Sequence, residues 1–570
     1  MPASRLFPCC IAYHIRLSLR PIPPNPPSQH PRVRADGKGG SRPMPSRPTN
    51  LSMLSGFRLP ALFLFAFASA LTSQLVAQAA PAEVGTLLEL GSRRELFVDG
   101  FLVDRFAGKA DLRLHHPVPH EIVIVHDAPW EGSGSGYHSV FQDGERYRMY
   151  YKGWMLALPK PPRIYAGAYA ESDDGIHWRK PELGLHEFQG TKANNIVFAN
   201  SQRAGSLTLN SAHLAVFKDE NPNAAPDARY KAIILCKSES GRSGLVPFKS
   251  RDGFHWLPMS DKPVITDGAF DSQNLAFWDG TRGEYRAYWR YFEKGEGNAR
   301  GARSIRTATS RDLLTWGAPS DLRYTDSPAE ELYTNQIKPY HRAPHLLIGF
   351  PARYLDRGWS DSTRSLPERE HREYRSSATP RFGTALTEGL LMTSRDGVTF
   401  KRWNEAFLRP GIEREGTWNY GQQYIGWHLV ETKSALDGAP NELSLYAVES
   451  YWTGNSSALR RYTLRLDGFV SVNAPMSGGE LVTKPFTFTG KKLEINFASS
   501  AAGGIQIELQ DKNGKPLPGF SLQDCPPIFG DSLARTVTWT NGADVSRLAG
   551  QPVRLRFVIK DADLYALQFQ

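Results

Sequence analysis

One aspartate recurs in four copies of a short motif and is the first candidate for acid–base chemistry. The copies span residues 172–178, 250–256, 310–316 and 394–400, and three of them read Ser-x-Asp-Gly ahead of an aromatic residue. A carboxylate can take or give a proton during catalysis. A residue that recurs once per repeat is nevertheless typical of a turn, in which aspartate caps the backbone and glycine adopts a positive φ. We therefore interpret these aspartates as structural.

Aromatic residues lie near the ends of the strand-like runs and could serve a second kind of chemistry. Sugar rings present apolar CH faces that stack on aromatic side chains, and we predict this role for Trp418, Tyr420 and Trp452. Packing explains many of the other aromatic residues equally well. His138 and His213 stand on comparable strand positions without a third ligand near them, so we predict neither a metal site nor a cofactor.

The repeated motif also indicates the architecture that positions these residues. Its copies are spaced more widely than the roughly 40 to 50 residues of a minimal four-stranded propeller blade, so long loops must extend from one end. Strand-like runs with a period of two begin near residues 136, 211, 272, 333 and 420. We predict an all-β chain in which residues 95–474 form a five-bladed β-propeller. A strand near residues 95–103 is the candidate for closing the ring.

After Pro475 the pattern changes to shorter alternating strands. They lie at residues 493–497, 505–509, 535–539 and 553–557, with a hairpin signal at 511–514. We predict that residues 476–570 form a small, jelly-roll-like β-sandwich. Two stretches of the propeller, the glycine-rich 293–302 and the charged 356–380, are predicted to be surface insertions.

Residues 1–79 account for most of the basic character of the chain. They carry nine Arg or Lys residues against one Asp, which is +8 of the net charge of +10, so the high pI favours neither nucleic acid nor an anionic membrane as a partner. Residues 1–52 are rich in Pro and Arg, which predicts a disordered or over-extended N-terminus. Residues 53–79 combine a short apolar run with a small-x-small ending, which predicts a signal peptide and a secreted or periplasmic protein.

The alternative for the leader is a single membrane anchor. Its apolar run, residues 59–71, is shorter than the roughly 20 residues that a span needs, so we expect no stable membrane span after signal cleavage. Beyond the leader the chain contains only Cys236 and Cys525, far apart in sequence, and we expect no structural disulfide. The sequence leaves the oligomeric state open.

Several features together resemble a known group of proteins. These are the Ser-x-Asp-Gly-x-x-Trp turns, the Asp-Gly turn followed by a Tyr-rich strand at 143–151, the five blades and the C-terminal sandwich. The chain resembles the five-bladed β-propeller glycoside hydrolases, a group that includes arabinanases, invertases and β-mannoside phosphorylases, over most of residues 95–570. The resemblance implies a glycosidase that acts on a poly- or oligosaccharide at the mouth of the central channel.

The resemblance also implies where the catalytic acids should lie. Glycosidic cleavage needs one protonated and one ionised carboxyl group, and in this group they stand at the starts of the innermost strands. The candidates are Asp271 before blade three, Glu331 before blade four and Glu415 before blade five. Glu331 would act as the acid and Asp271 as the base or stabiliser. The predicted substrate-binding residues are His138, Asn335, Arg353, Trp418, Tyr420 and Trp452.

One position departs from the group's pattern. Its first blade carries an Asp ahead of the Asp-Gly turn, where this chain has Tyr137 and His138; the nearest acids are Asp127 and Glu131. Two alternatives therefore stay open beside the glycosidase: a non-catalytic glycan-binding propeller and an extracellular scaffold without a sugar ligand. Under either, the candidate carboxylates would form strand-end ion pairs with an arginine such as Arg290 or Arg353.

Overall fold

The computed structural model describes residues 87–156, 163–293, 301–454 and 456–570. The predicted disordered N-terminus (1–52) and signal peptide (53–79) lie outside the described residues, as does most of the glycine-rich stretch. Within the described ranges the fold is nearly all β, as predicted, and five sheets of four or five strands follow one another along the chain. These five sheets are the five blades of the predicted propeller.

Within each blade, neighbouring strands pair in order from the innermost strand outwards. Blade 1 contains Gly136–Asp143, Arg146–Met155, Arg163–Ser172 and Ile196–Ala199, with Trp178–Arg179 at its edge. Blade 2 contains Leu207–Lys218, Tyr230–Ser238, Ser243–Ser250 and Leu257–Pro258, with Arg203–Ala204 beside the first strand. Blade 3 contains Leu275–Asp279, Glu284–Phe292, Arg303–Ser310 and Ser320–Asp321.

The last two blades are less regular. Blade 4 contains Lys338–Tyr340, Ala343–Gly349, Met392–Ser394, Thr399–Arg402 and Arg323–Thr325. A separate three-stranded sheet accompanies it, made of Glu331–Leu332, Ala352–Asp356 and Ala385–Gly389. Blade 5 contains Val430–Thr432, Glu442–Glu449, Ala458–Leu464 and Val118–Val125.

The strand that closes the ring is not the expected one. Val118–Val125 pairs with Ala458–Leu464 and so supplies the outermost strand of the last blade from the N-terminal side of the first. The segment near residues 95–103 belongs elsewhere, because Glu95–Leu96 pairs with Val553–Phe569 in the C-terminal sheet. Both segments have the alternating pattern of a strand, and the pattern alone does not reveal the partner.

Two buried glutamines link the inner strands at the axis of the ring. The Gln273 side-chain amide donates to the carbonyl of Tyr137, at 2.9 Å, and to that of Leu214, at 3.4 Å. The Gln336 amide donates to the Gln273 side-chain oxygen and to the carbonyl of Ile425, each at 2.8 Å. These bonds join all five blades, since the five residues lie within or shortly before the inner strands of the five blades.

The repeated motif forms the same turn in each copy. The Asp174 carboxylate accepts from the backbone N–H groups of Ile176 and His177, each at 2.8 Å, and the Trp178 indole donates to the carbonyl of Gly175 at 3.1 Å. The equivalent carboxylates make the same backbone contacts at Asp252, Asp312 and Asp396. The structural interpretation of these aspartates is thereby supported.

The C-terminal region forms a ten-stranded sheet with a single apolar core. Its strands are Leu88–Gly91, Glu95–Leu96, Val103–Gly108, Asp111–Leu114, Val470–Ala474, Gly479–Thr483, Phe486–Phe488, Leu493–Asp511, Asp531–Thr536 and Val553–Phe569. The segment before residue 115 therefore pairs with the C-terminal strands and not with the blades. The β-sandwich of residues 476–570 stays a prediction.

The expected strands at 493–497 and 505–509 are one strand, Leu493–Asp511. It pairs with Val553–Phe569 along its length, and a register shift between Ser499 and Gly504 allows it to bend. Small residues permit that bend, because a Cβ at Gly503 would lie 2.3 Å from the carbonyl oxygen of Asp561.

The charged stretch 356–380 is not merely a surface insertion. It contains the helices α1 (Asp361–Ser365) and α2 (Arg369–Ser376), followed by α3 (Arg381–Thr384). Helix α2 buries Arg372 and Arg375 completely. Two short 3₁₀ helices also occur, at Pro226–Ala228 and Ser546–Leu548.

Two further findings concern the whole described chain. Cys236 and Cys525 are both buried free thiols, as expected. Among the described residues, no helix combines the length and apolar character that crossing a membrane requires.

The axial amides should contribute measurably to stability. We expect Gln336→Leu to lower the free energy of unfolding by about 1–3 kcal/mol, because the Gln273 oxygen and the Ile425 carbonyl would stay buried without a donor. Chemical denaturation would measure it. Gln142→Leu, at an exposed position, is the matched control and should change stability by roughly 0.5 kcal/mol or less. Equal losses in the two variants would contradict a role for the axial network.

Candidate functional site

The starts of the inner strands bring a dense aromatic cluster together. Tyr424 lies between Tyr137 and Tyr333, with ring centroids 6.1 and 5.4 Å away. The Tyr420 hydroxyl donates to that of Tyr333 at 3.1 Å. We call this set the mouth cluster and define it as Tyr137, Lys152, Trp154, Tyr333, Tyr354, Phe382, Tyr420, Tyr424, Tyr451 and Trp452.

A row of three rings forms one side of the mouth cluster, in which Trp452 stacks on Trp154 and meets Phe382 edge-on. Trp452 lies 4.8 Å from Trp154 and 4.9 Å from Phe382, measured between ring centroids, and Tyr420 is 5.1 Å away. Backbone passes directly against this row at Gly134, where a Cβ would lie 2.3 Å from the Trp154 ring and 2.6 Å from the Trp452 indole nitrogen. Only glycine fits at residue 134 without displacing these rings. The predicted residues Tyr420 and Trp452 are in contact in this part of the cluster.

Helix α2 holds the two loops that carry these aromatic residues. The Arg372 guanidinium donates to the carbonyl of Trp418, and that of Arg375 donates to the side-chain oxygen of Asn419 at 2.8 Å. His371 contacts the carbonyl of Trp452. Burial lowers the pKa of Arg375 to about 9, with Arg372 adding to the effect. The predicted Trp418 is half-buried, and its indole donates to the carbonyl of Gly411 at 2.9 Å.

Several buried polar atoms at the strand starts have no hydrogen-bond partner among the described residues. They are Ser211 Oγ, His213 Nδ1, Ser272 Oγ, Thr334 Oγ1, Tyr424 OH and Trp452 Nε1. Such atoms are uncommon in folded proteins, and this group marks a place where a polar ligand can be satisfied. Other unpartnered atoms lie elsewhere in the described chain, among them both ring nitrogens of His428. Burial lowers the pKa of His213 to about 3, with Lys152 and Arg290 contributing, so this imidazole is neutral at pH 7.

The arginine partners of the predicted acids Asp271 and Glu331 lie over the ring of one tyrosine, Tyr333. Asp271 forms an ion pair with Arg290, and Glu331 forms one with Arg303. Both guanidinium groups lie over the Tyr333 ring, 4.8 and 5.4 Å from its centroid. The Asp271 side chain is 70% exposed and that of Glu331 is 35% exposed, so both can be reached from solvent.

Two other predicted residues are placed differently. Glu415 is exposed and makes no hydrogen bond or ion pair with any described residue. Arg353 is neutralised by two carboxylates, at 2.9 Å from Glu330 and 2.5 Å from Glu388. Neither residue is brought to the mouth cluster by a described contact, because the segments that carry them turn towards solvent or towards other acids.

The predicted hydroxyl-binding residues are buried and largely engaged. His138 is fully buried, with a ring nitrogen 3.0 Å from that of His126, and it stacks on Tyr151. Burial lowers its pKa well below the usual range. The side-chain oxygen of Asn335 accepts from the backbone N–H of Ile337 at 3.3 Å. Both contacts are those of residues that hold strands in place.

The acids nearest to the first blade, Glu131 and Asp127, both pair with Lys180. Glu131 is fully buried and accepts from the Tyr151 hydroxyl at 2.6 Å and from the Lys180 ammonium at 2.7 Å. Asp127 pairs with the same lysine at 3.0 Å. The Glu131 carboxylate is thus used inside the protein, whereas the Asp127 side chain is 73% exposed.

Sequence reasoning missed the most unusual charge of the site, Lys152. Its ammonium donates to the Tyr451 hydroxyl at 3.0 Å and lies 4.0 Å from the Tyr137 ring centroid and 5.2 Å from that of Trp154. The residue is 5% exposed, and burial lowers its pKa to about 7. The available signal was its place in the Tyr-rich strand, where the period of two directs alternate side chains inwards.

A cavity of about 550 Å³ lies at the opposite end of the inner strands. Its charged lining is paired, since His341 lies 2.8 Å from Glu431 and Lys338 lies 3.6 Å from Glu220. Among the described residues, no group of three or more His, Cys, Asp or Glu side chains is arranged to hold a metal ion. Of the predicted residues, the structure brings Tyr420 and Trp452 into contact, and both belong to the mouth cluster.

Comparisons with known proteins give distant structural likenesses. No protein-family model matches the sequence, and no curated protein matches it. A solved glycoside hydrolase is 12% identical, with 61% of this chain and 92% of that chain covered and a TM-score of 0.40. A thermostable family-43 glycoside hydrolase is 13% identical, with coverages of 60% and 93% and a TM-score of 0.36.

A third likeness is to an N-acetylgalactosamine deacetylase from F. plautii in complex with blood group B trisaccharide. It is 16% identical, with coverages of 63% and 94% and a TM-score of 0.35. Glycoside hydrolases are thus among the proteins whose structures this chain resembles, at identities and TM-scores that assign it no activity.

Proposed function

We propose that the protein is a glycoside hydrolase that cleaves a poly- or oligosaccharide at the mouth cluster, with Asp271 and Glu331 as its carboxylate pair. The observation that carries the proposal is that these two acids pair with Arg290 and Arg303, whose guanidinium groups both lie over the ring of Tyr333 in the aromatic cluster, near its unpartnered polar atoms. Aromatic faces and polar groups on one surface match the apolar faces and hydroxyl edges of a sugar.

The roles of the two acids follow from what cleavage requires. Glu331 would protonate the leaving oxygen, while Asp271 would activate water or stabilise the positive charge that develops on the sugar ring. An arginine beside a carboxylate favours its ionised form. Proton donation by Glu331 therefore requires that the bound sugar replace the contact with Arg303, whereas Asp271 can stay ionised beside Arg290.

Removal of either carboxyl group should abolish turnover. We expect Glu331→Gln and Asp271→Asn to lower kcat by roughly 10²–10⁴-fold, the usual contribution of a general acid or base. The assay is release of reducing ends by the full chain from a panel of neutral, uronic-acid and sulfated polysaccharides. The exposed residues Glu405 and Asp261 supply the controls Glu405→Gln and Asp261→Asn, which should retain full activity. Active Glu331→Gln and Asp271→Asn variants would contradict the proposed roles.

A second candidate function is glycan binding without catalysis. Two observations favour it: both acids are held in ion pairs with arginine, and His138 stands where the resembling group has its first-blade acid. In that case no polysaccharide of the panel would yield reducing ends, while the protein would still be retained in gels that contain its glycan. The carboxamide variants would then be retained as strongly as the unaltered chain.

We also propose that the protein is exported, on the basis of the apolar run and small-x-small ending before Ala80. The expected N-terminus of the mature protein is Ala80. Expression of the full chain in a bacterial host, followed by N-terminal sequencing of the protein in the periplasm and medium, would test this. Recovery of an intact leader in the membrane fraction would favour the anchor instead.

A further inference from the structure

We infer that the mouth cluster binds an anionic substituent of a sugar, a carboxylate or a sulfate ester, through Lys152 and Arg381. This inference names the substrate class of the proposed glycan site and rests on that proposed function. Two cations support the inference: they lie at opposite ends of the row formed by Trp154, Trp452 and Phe382, and neither has a carboxylate partner in the described chain.

Lys152 is the first of these cations. Its recorded hydrogen bond goes to a neutral hydroxyl, that of Tyr451, and its other close neighbours are the faces of Tyr137 and Trp154. Aromatic faces attract a cation but carry no net negative charge. A buried cation is usually paired with an anion, so Lys152 is a charge whose counterion must come from outside the described chain.

Arg381 is the second cation. It begins helix α3, and its guanidinium lies 5.0 Å from the ring centroid of Phe382 and 5.9 Å from that of Tyr420. The polar groups that face its guanidinium are the hydroxyls of Tyr354 and Tyr420, which are not carboxylates, and its buried Nη1 atom meets no acceptor with hydrogen-bond geometry among the described residues. A guanidinium with a free, desolvated N–H is suited to a carboxylate or sulfate oxygen.

The other arginines around the site show what a neutralised cation looks like here. Arg290 and Arg303 are paired with the two proposed catalytic acids, Asp271 and Glu331. Arg306 is held by two further acids, Asp267 at 3.0 Å and Asp321 at 2.8 Å. Among the described residues, Lys152, Arg381 and the buried Arg372 and Arg375 lack such partners; Arg372 and Arg375 donate to loop oxygens, whereas Lys152 and Arg381 lie against the aromatic rings.

Lys152 and Arg381, two cations without a carboxylate partner, lie along one aromatic surface. Lys152 lies at the Trp154 end of the row of three rings, and Arg381 lies at the Phe382 end. Trp154, Phe382 and Arg381 are each partly exposed, so this side of the cluster reaches solvent. A sugar ring that lies against these aromatic rings would present its charged substituent to Lys152, to Arg381 or to both.

Burial supports the same assignment. It lowers the pKa of Lys152 to about 7, so the neutral and protonated forms are both populated near neutrality. An anion placed beside the ammonium would favour the protonated form and would offset the cost of its desolvation. A neutral sugar offers no such compensation.

Binding to matched polysaccharides tests the inference. The full chain would be run in affinity gels that contain polygalacturonate, a sulfated galactan or an unsubstituted galactan, and dissociation constants would be measured with the corresponding oligosaccharides. We expect tighter binding to an acidic polymer, and at least a tenfold loss of that affinity in Lys152→Met and in Arg381→Gln. Arg381→Lys, which retains the charge, should restore most of the affinity.

The controls separate specific recognition from general charge and from misfolding. Lys192 is exposed on a loop, and Lys192→Met removes the same charge without touching the cluster, so its affinity should equal that of the unaltered chain. Thermal unfolding of each variant checks that the fold is intact. Polygalacturonate binding alone identifies a uronic acid, and sulfated galactan binding alone identifies a sulfate ester.

Two results would overturn the inference in distinguishable ways. Binding or cleavage of the neutral galactan that is unchanged in Lys152→Met and Arg381→Gln would refute anion recognition and leave the glycan function standing. Absence of both binding and reducing-end release across all three polymers would refute the inference together with the proposed function.

Discussion

Buried hydrogen bonds of two glutamine side chains hold the centre of this molecule together. The inner strands of five blades converge on one axis, where water is excluded and every polar group needs a partner inside the protein. Gln273 and Gln336 supply those partners between residues that are far apart in sequence. Because these amides set where the inner strands start, they also set where the side chains at the mouth cluster meet.

The same requirement is met only in part at the mouth cluster, and also at the axis, where the side-chain oxygen of Gln336 has no partner among the described residues. Hydroxyl, imidazole and indole groups at the strand starts stay buried without partners, while Lys152 and Arg381 stay without carboxylates. Helix α2 fixes the neighbouring loops through Arg372 and Arg375, which satisfy backbone and side-chain oxygens. Rigid support around unsatisfied polar groups is what a preorganised binding surface requires.

The candidate acids show how far sequence reasoning about a site can reach. Asp271 and Glu331 were predicted from their place ahead of inner strands; the arginines that pair with them lie over the Tyr333 ring, and the catalytic roles stay predictions. The same rule selected Glu415, which is exposed and makes no described contact, because position along a strand does not reveal which way a preceding loop turns. Arg353 has the right charge, yet two glutamates neutralise it from segments that its local sequence does not reveal.

The sequence by itself determined the features that depend on neighbouring residues. Turn formation by Ser-x-Asp-Gly, the five strand starts and the nearly all-β character follow from backbone preferences and short-range hydrogen bonds. Only the tertiary structure decided that Val118–Val125 closes the ring and that Leu493–Asp511 is one strand. It also decided that Lys152 and Arg381 lie at the two ends of one row of aromatic rings. Those outcomes depend on which distant segments pair and exclude water, and such long-range contacts leave no periodic signal in the local sequence.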